Sequence, residues 1–258
     1  MHDINESGRA GGRRRRPAGR PYLVDPDREL AELREYLGDE YSLERLQRHE
    51  VEVESEFAEL GAEAFYRSSK SYLFDLTVFA MSRTKEPYLA TLARAVDPPA
   101  RVLDYGCGIG SDGLLLLEAG YRVEFADFAS PSTDYLRWRL RHRGLDAPIH
   151  DLDTAPPNGD FDLAYAFDVI EHVPDPFALL RELDSRARLV LVNFLEDDSN
   201  PLHARLDIPA LLAYATAKGL RGYDVHHDRS HLVLYAPGRR ARLRPAFRAR
   251  ARARRRRR

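Results

Sequence analysis

Residues 101–110 read Arg-Val-Leu-Asp-Tyr-Gly-Cys-Gly-Ile-Gly, a short apolar run entering a turn with three alternate glycines, Gly106, Gly108 and Gly110. A turn that lacks Cβ atoms lets main-chain N–H groups come close to a flat polar molecule. The dinucleotide pattern G-x-G-x-x-G sets a pyrophosphate on a helix N-terminus. Here the last glycine comes one residue early, and Asp104 stands two places before the first. That carboxylate would repel a pyrophosphate but can hold an ammonium group, directly or through water. The turn therefore favours a nucleoside carrying an amino acid over a nicotinamide dinucleotide.

More acids follow at telling places. Tyr-Arg-Val-Glu-Phe-Ala-Asp127 alternates like a strand and ends in an acid 21 residues beyond Gly106, where a carboxylate can accept both hydroxyls of a ribose. Residues 147–151 read as a third strand ending in Asp151, and 161–167 as a fourth leading into Asp168-Val-Ile-Glu171-His172-Val-Pro. An acceptor beside the backbone N–H of Leu152 suits an adenine edge. Each polar group thus falls at the carboxyl end of an expected parallel strand, where open α/β sheets bind ligands.

These four motifs, in this order, resemble the class I S-adenosylmethionine-dependent methyltransferases, in particular their small-molecule branch typified by ubiquinone biosynthesis. The likeness is direct from about Val102 to Leu183 and extends by topology to Pro237. One departure is Ala-Asp127-Phe-Ala-Ser where Gly-Val-Asp-x-Ser is commoner. The resemblance implies a Rossmann-like α/β fold with a seven-stranded sheet, mostly parallel with an antiparallel edge, under an N-terminal helical lid. It implies S-adenosyl-L-methionine as cofactor and a small-molecule acceptor, in secondary metabolism among other settings. By the same resemblance Asp104, Gly106, Gly108 and Gly110 lie against the methionyl part, and Asp127 holds the ribose. Phe128 then packs on adenine, Asp151 and the Leu152 amide read its edge, and Phe167 and Asp168 face the methionine end.

Methyl transfer from a sulfonium needs positioning and desolvation, and a base only where the acceptor must lose a proton. His172 is the candidate catalytic base, since imidazole titrates near neutral pH; the plainer reading is that Glu171-His172 fixes a loop. His203 is a second candidate on a polar loop after the fifth strand, and a solvated side chain is the reading favoured there. His226, His227 and His231 match no zinc spacing, so no metal is expected and they are placed at a solvated hairpin tip. Tyr66, Tyr72 and Phe74 could line a substrate pocket, with core packing the default for each. Cys107 is expected to be packed and inert.

The supporting elements follow from pattern. Asp27–Leu37 reads as a helix stopped by Gly38, Ser42–Leu60 as one longer helix with Leu43, Leu46, Phe57 and Leu60 inward, and Pro87–Val96 as a helix with an i, i+3, i+4 stripe. Ala187–Phe194 is apolar as a buried parallel strand should be, a helix follows around Ile208–Lys218, and Leu220–Val225 and Leu232–Tyr235 read as paired antiparallel strands. The expected division is a disordered Arg/Gly-rich tail over 1–20, a helical lid over 21–97, a cofactor-binding domain over 98–238 and a disordered Arg-rich tail over 239–258.

Charge is distributed unevenly. Residues 239–258 carry 12 arginines and no acid, while the body between the tails holds 22 basic and 39 acidic residues. An acidic body disfavours nucleic acid over the binding face, leaving nonspecific contact by the arginine tails. Arginine outnumbers lysine 37 to three across the chain. A single cysteine and no apolar run of membrane-spanning length fit a cytoplasmic protein without a membrane span. Two rival readings stay open: a non-methylating enzyme or binding protein on the same fold, and a nucleic-acid methyltransferase recruited by the tails. Oligomeric state is not legible.

Overall fold

The computed structural model describes residues 22–197 and 200–238. The two arginine-rich ends, expected to be disordered tails, lie outside the described residues. The chain first builds a helical layer: α1 (Pro26–Leu37), α2 (Leu43–Gln47), α3 (His49–Leu60), α4 (Ala62–Ser68), α5 (Ser71–Met81) and α6 (Glu86–Ala95). The Asp25 carboxylate accepts the N–H groups of Asp27 and Arg28 at the start of α1, and Gly38 ends it.

The single helix expected over Ser42–Leu60 is instead two. The chain breaks at Arg48, whose φ of −110° and ψ of 15° leave the helical region. One straight helix cannot turn Val53 and the leucines inward together. The break buries Val53 and leaves Leu43 and Leu60, both expected inside, exposed.

The rest alternates strand and helix: β1 (Arg101–Tyr105), α7 (Ser111–Glu118), β2 (Arg122–Asp127), α8 (Pro131–His142), β3 (Ile149–Asp151), β4 (Phe161–Ala166), α9 (Pro176–Arg186), β5 (Ala187–Leu195), α10 (Ile208–Gly219), β6 (Leu220–His226) and β7 (Ser230–Tyr235). The strands form one sheet in the order β3-β2-β1-β4-β5-β7-β6. Every neighbouring pair is parallel except β5–β7 and β6–β7. This is the mostly parallel seven-stranded sheet with an antiparallel edge that the motifs imply. Both faces are covered, as a parallel sheet requires. Leu103 packs with α9 and α10, and its neighbour Val102 packs with α6, α7 and α8, as strand alternation dictates. The chain leaves β1 towards β2 on one side and later places β4 on the other, so the crevice at the carboxyl end of β1 is the switch point of the sheet. No helix among the described residues is long and apolar enough to cross a membrane.

A buried ion cluster fastens the helical layer to the sheet. Arg139 on α8 is fully buried, donating to Glu29 and, at 2.8 Å, to Glu32, both on α1. It also donates to the Ile109 carbonyl at 2.9 Å and the Ser111 hydroxyl at 2.8 Å, immediately beyond the glycine turn. Arg143 donates to Glu32 at 2.7 Å, and the two guanidinium groups hold the Glu32 carboxyl below its usual pKa against the opposing effect of burial. Removing one member of a buried ionic network strands the others without a partner. Arg139→Ala should therefore lower unfolding stability by about 3–5 kcal/mol, measured by urea denaturation; a loss below about 1 kcal/mol would show the cluster to be dispensable.

Candidate functional site

The carboxyl ends of β1, β2 and β4 open on a cavity of ≈ 820 Å³. Its floor is the glycine turn, and its roof comes from α4 and α5 through Tyr66, Tyr72, Leu76 and Phe79. The turn is stitched to β2 by main-chain bonds: Gly106 N–H donates to the Ala126 carbonyl at 2.8 Å. Asp127, at the last position of β2, completes the joint. One of its oxygens accepts the Gly108 N–H at 2.7 Å and the other accepts the Phe128 N–H at 2.7 Å. Gly108 takes φ +51°, a conformation that side-chain-bearing residues avoid.

Protein packing also requires the other two glycines to lack a side chain. A Cβ at Gly106 would meet Val169 at 2.6 Å, and one at Gly110 would meet Leu136 at 2.4 Å. Gly110 is the N-cap of α7 and does not line the cavity. Gly106, Gly108, Asp127, Phe128, Leu152, Phe167, Asp168 and His172 do line it.

Two further residues expected at the ligand lie off the cavity wall. Asp104 is buried beneath the turn and is not among the lining residues. Burial, with the Asp112 carboxylate nearby, pushes its pKa up to about 8. Asp151 is also off the wall: its carboxylate accepts the Asp153 N–H at 3.1 Å and the Thr154 hydroxyl at 2.7 Å, closing the turn after β3. The Leu152 N–H, expected to read an adenine edge, already donates to the Asp127 carbonyl at 3.0 Å, which leaves only its side chain facing inward.

Some residues that line or support the cavity escape sequence reasoning. Lys85, at the N-cap of α6, enters the cavity with Nζ 3.3 Å from Asp112 Oδ2, 3.7 Å from Asp168 Oδ2 and 3.5 Å from the Phe167 carbonyl. Its rarity was the available signal, since it is one of three lysines among 37 arginines. Asp168 adopts φ +54° and is held there by fully buried Asn193, which accepts the Asp168 N–H at 2.8 Å and donates to its carboxylate at 2.7 Å. Asn193 in turn donates to the Ser230 hydroxyl at 3.1 Å, which accepts from Tyr88 at 2.7 Å. A non-glycine residue at positive φ stores strain of order 1–3 kcal/mol and persists only where neighbours over-determine it. Asn193 is the one amide in the apolar β5 strand, a signal visible in the sequence.

The far end of the cavity gathers Tyr66, Glu171, His172 and His203. His172 Nδ1 lies 2.8 Å from the Tyr66 hydroxyl and 3.2 Å from the Leu202 carbonyl. Nδ1 thus faces a hydroxyl that can donate or accept and a carbonyl that only accepts. Burial, reinforced by His203, pushes the His172 pKa down to about 3. His203 is half-buried in the wall with its ring 4.8 Å from that of His172, which replaces the solvated placement favoured from sequence. Of the three aromatics on the helical segment, Tyr66 and Tyr72 line the cavity and Phe74 belongs to the core. Arg67 lies over the Phe128 ring at 4.4 Å and pairs with Asp153, closing the roof over that side. At the β6–β7 turn His227 meets the Thr84 carbonyl at 3.0 Å and His231 meets Tyr223 at 2.8 Å, so these histidines do not converge on one point.

Comparison with known proteins agrees with this architecture. A family model for a methyltransferase domain matches residues 80–229. The chain belongs to that family, which bears out the class I methyltransferase resemblance carried by its four motifs. Among curated proteins it is 32% identical over 107 residues to the ubiquinone biosynthesis O-methyltransferase of Xanthomonas campestris pv. campestris (strain B100), covering 40% of this chain and 44% of the relative. It is 32% identical over 93 residues to the corresponding protein of Bordetella bronchiseptica. The chain thus spans less than half the length of the curated relatives it matches. Among solved structures, magnesium protoporphyrin IX methyltransferase from Synechocystis PCC 6803 with bound S-adenosylmethionine superposes with a TM-score of 0.51 at 18% identity, over 82% of this chain and 97% of that one. The mitomycin 7-O-methyltransferase MmcR gives 0.51 at 18% identity, over 84% and 74%. These likenesses concern the fold.

The raised Asp104 pKa has a measurable consequence. Between about pH 4 and pH 8 the folded state keeps a proton on Asp104 that the unfolded chain releases, so this group makes stability fall as pH rises and level off above pH 8. Asp104→Asn removes that contribution. The melting temperature of the variant should decline less between pH 5 and pH 8 than that of the wild type, and parallel declines would contradict the assignment.

Proposed function

We propose that the cavity binds S-adenosylmethionine and that the chain transfers its methyl group to a small hydroxyl-bearing molecule. The observation that carries this reading is Asp127: a carboxylate on the cavity wall, oriented by one main-chain N–H on each oxygen and with lone pairs to spare. Such a pair of acceptors matches the vicinal hydroxyls of a ribose. The cavity lies within the range of about 300–1,000 Å³ that encloses drug-sized ligands. Phe128 and Leu152 would flank the base, Gly106 and Gly108 would admit the methionyl chain, and the Lys85 ammonium would meet its carboxylate. Asp104, Gly110 and Asp151 would act from behind the wall, by shaping the turns that carry these groups.

When bound, the sulfonium supplies a methyl group already activated for in-line displacement. The protein's task is then to position the acceptor and exclude water. Tyr66 and Tyr72 on the roof would offer apolar faces to the acceptor, and His172 on the cavity wall would meet the acceptor hydroxyl. Burial, which pushes the His172 pKa down to about 3, weakens it as a base, so in this reading it would orient the acceptor hydroxyl rather than take its proton. An acid-rich body favours a small molecule over nucleic acid as acceptor. A cytoplasmic setting belongs to the same proposal and rests on the single cysteine, Cys107, whose thiol burial pushes up.

Titration calorimetry of the full chain with S-adenosylhomocysteine tests the cofactor site. Binding should be one-to-one, and Asp127→Ala should weaken it by roughly 10–150-fold, the loss of about 1.5–3 kcal/mol for hydrogen bonds to a charged group. An Asp127→Ala variant with unchanged affinity would refute the ribose assignment.

A further inference from the structure

The two carboxylate oxygens of Asp168 differ in their surroundings. Oδ1 accepts from the Asn193 amide at 2.7 Å. Oδ2 is buried with no hydrogen-bond partner among the described residues, and Lys85 Nζ stands over it at 3.7 Å, beyond hydrogen-bond range. A buried oxygen without a donor is costly unless a ligand supplies one. Both residues line the cavity, so its wall presents a cation and an anion side by side. The amino-acid end of S-adenosylmethionine offers the complementary pair, a carboxylate and an ammonium on one carbon.

Asp168 does not hold this position unaided. Its φ of +54° is one that a residue with a side chain keeps only where neighbours enforce it. Asn193 enforces it twice, since its amide oxygen accepts the Asp168 N–H at 2.8 Å while its amide nitrogen donates to the carboxylate. A main-chain N–H can only donate, so this pair of bonds fixes which way the amide points. The amide nitrogen also donates to the Ser230 hydroxyl at 3.1 Å, and that hydroxyl accepts from Tyr88 at 2.7 Å. Asn193, Ser230 and Tyr88 are each at most 2% exposed and come from β5, β7 and α6. Tyr88 lies three residues beyond Lys85, so the start of α6 both carries the cation and backs the carboxylate.

We propose that Asn193, backed by Ser230 and Tyr88, is a positioning residue that sets the Asp168 carboxylate to receive the methionyl ammonium while Lys85 takes the methionyl carboxylate. This deepens the function proposed above and rests on it. Without Asn193 the backbone at Asp168 relaxes out of its positive φ, the carboxylate leaves Lys85, and the amino-acid end of the ligand loses a charged contact. The ribose end, assigned to Asp127, is unaffected. Asn193 thus acts on one end of the ligand only.

Two ligands separate those ends. S-adenosylhomocysteine carries the amino-acid group, and 5′-methylthioadenosine has the same nucleoside thioether without it. Titration calorimetry of the full chain measures both. Asn193→Leu nearly keeps the side-chain volume and removes the amide. It should weaken S-adenosylhomocysteine by about tenfold or more and change 5′-methylthioadenosine by less than about twofold, which also reports that the variant folds. Tyr88→Phe removes only the outermost hydrogen bond and should give a smaller loss with the same selectivity. Asp127→Ala, by contrast, should weaken both ligands. Equal losses for the two ligands in Asn193→Leu, or no loss for either, overturn the positioning role. Where that variant does not fold, Tyr88→Phe decides, and an unchanged ratio of the two affinities overturns the role. A wild type that binds neither ligand removes the S-adenosylmethionine reading and this role with it, whereas failure of the role alone leaves wild-type binding intact, so the two failures are distinguishable.

Discussion

The site depends on one carboxylate joining two strand ends. Asp127 closes β2, yet its oxygens bond the N–H of Gly108 in the turn after β1 and of Phe128 in its own. A carboxylate fixed by two main-chain donors cannot rotate away, so the floor of the cavity is set before any ligand arrives. Burial raises the Asp127 pKa while these two N–H groups oppose that shift. The tension is characteristic of a group held ready for an external hydrogen-bond donor.

The helical layer makes this floor into a pocket. Arg139 links α1, α8 and the residues just past the glycine turn through a buried network, so the lid and the floor share a fastening. From that anchor α4 and α5 carry Tyr66 over His172 and Arg67 over Phe128. Lys85 enters from the start of α6 to meet three acidic residues supplied by the sheet region. A basic group from the helical layer and acids from the sheet thus meet on the cavity wall, while at its histidine end Arg229 pairs with Asp197 beside His203.

Legibility in the sequence followed the range of the interaction. The parallel strands could be read because burial on both faces forces unbroken apolar runs, and Asp127 because an acid coincides with a strand end. The partners of Asp151 and of the Leu152 amide, a local hydroxyl and the Asp127 carbonyl, were not legible, because they depend on the turn after β3 and on its pairing with β2. Gly110 looked like part of a ligand cradle, yet Leu136 on α8 is what requires it to lack a side chain. Lys85, Asn193 and the proximity of His203 to His172 arise between segments far apart in sequence, which no local pattern encodes. The break at Arg48 was missed for the related reason that tertiary burial of Val53 overrides a continuous helical stripe.

The central claim is tested most directly by a crystal structure of the chain with S-adenosylhomocysteine bound. The account predicts both ribose hydroxyls within hydrogen-bond distance of the Asp127 carboxylate, the amino-acid carboxylate near Lys85 and the sulfur directed towards His172. A nucleoside bound outside this cavity, or bound within it with Asp127 still contacting only Gly108 and Phe128, would contradict it.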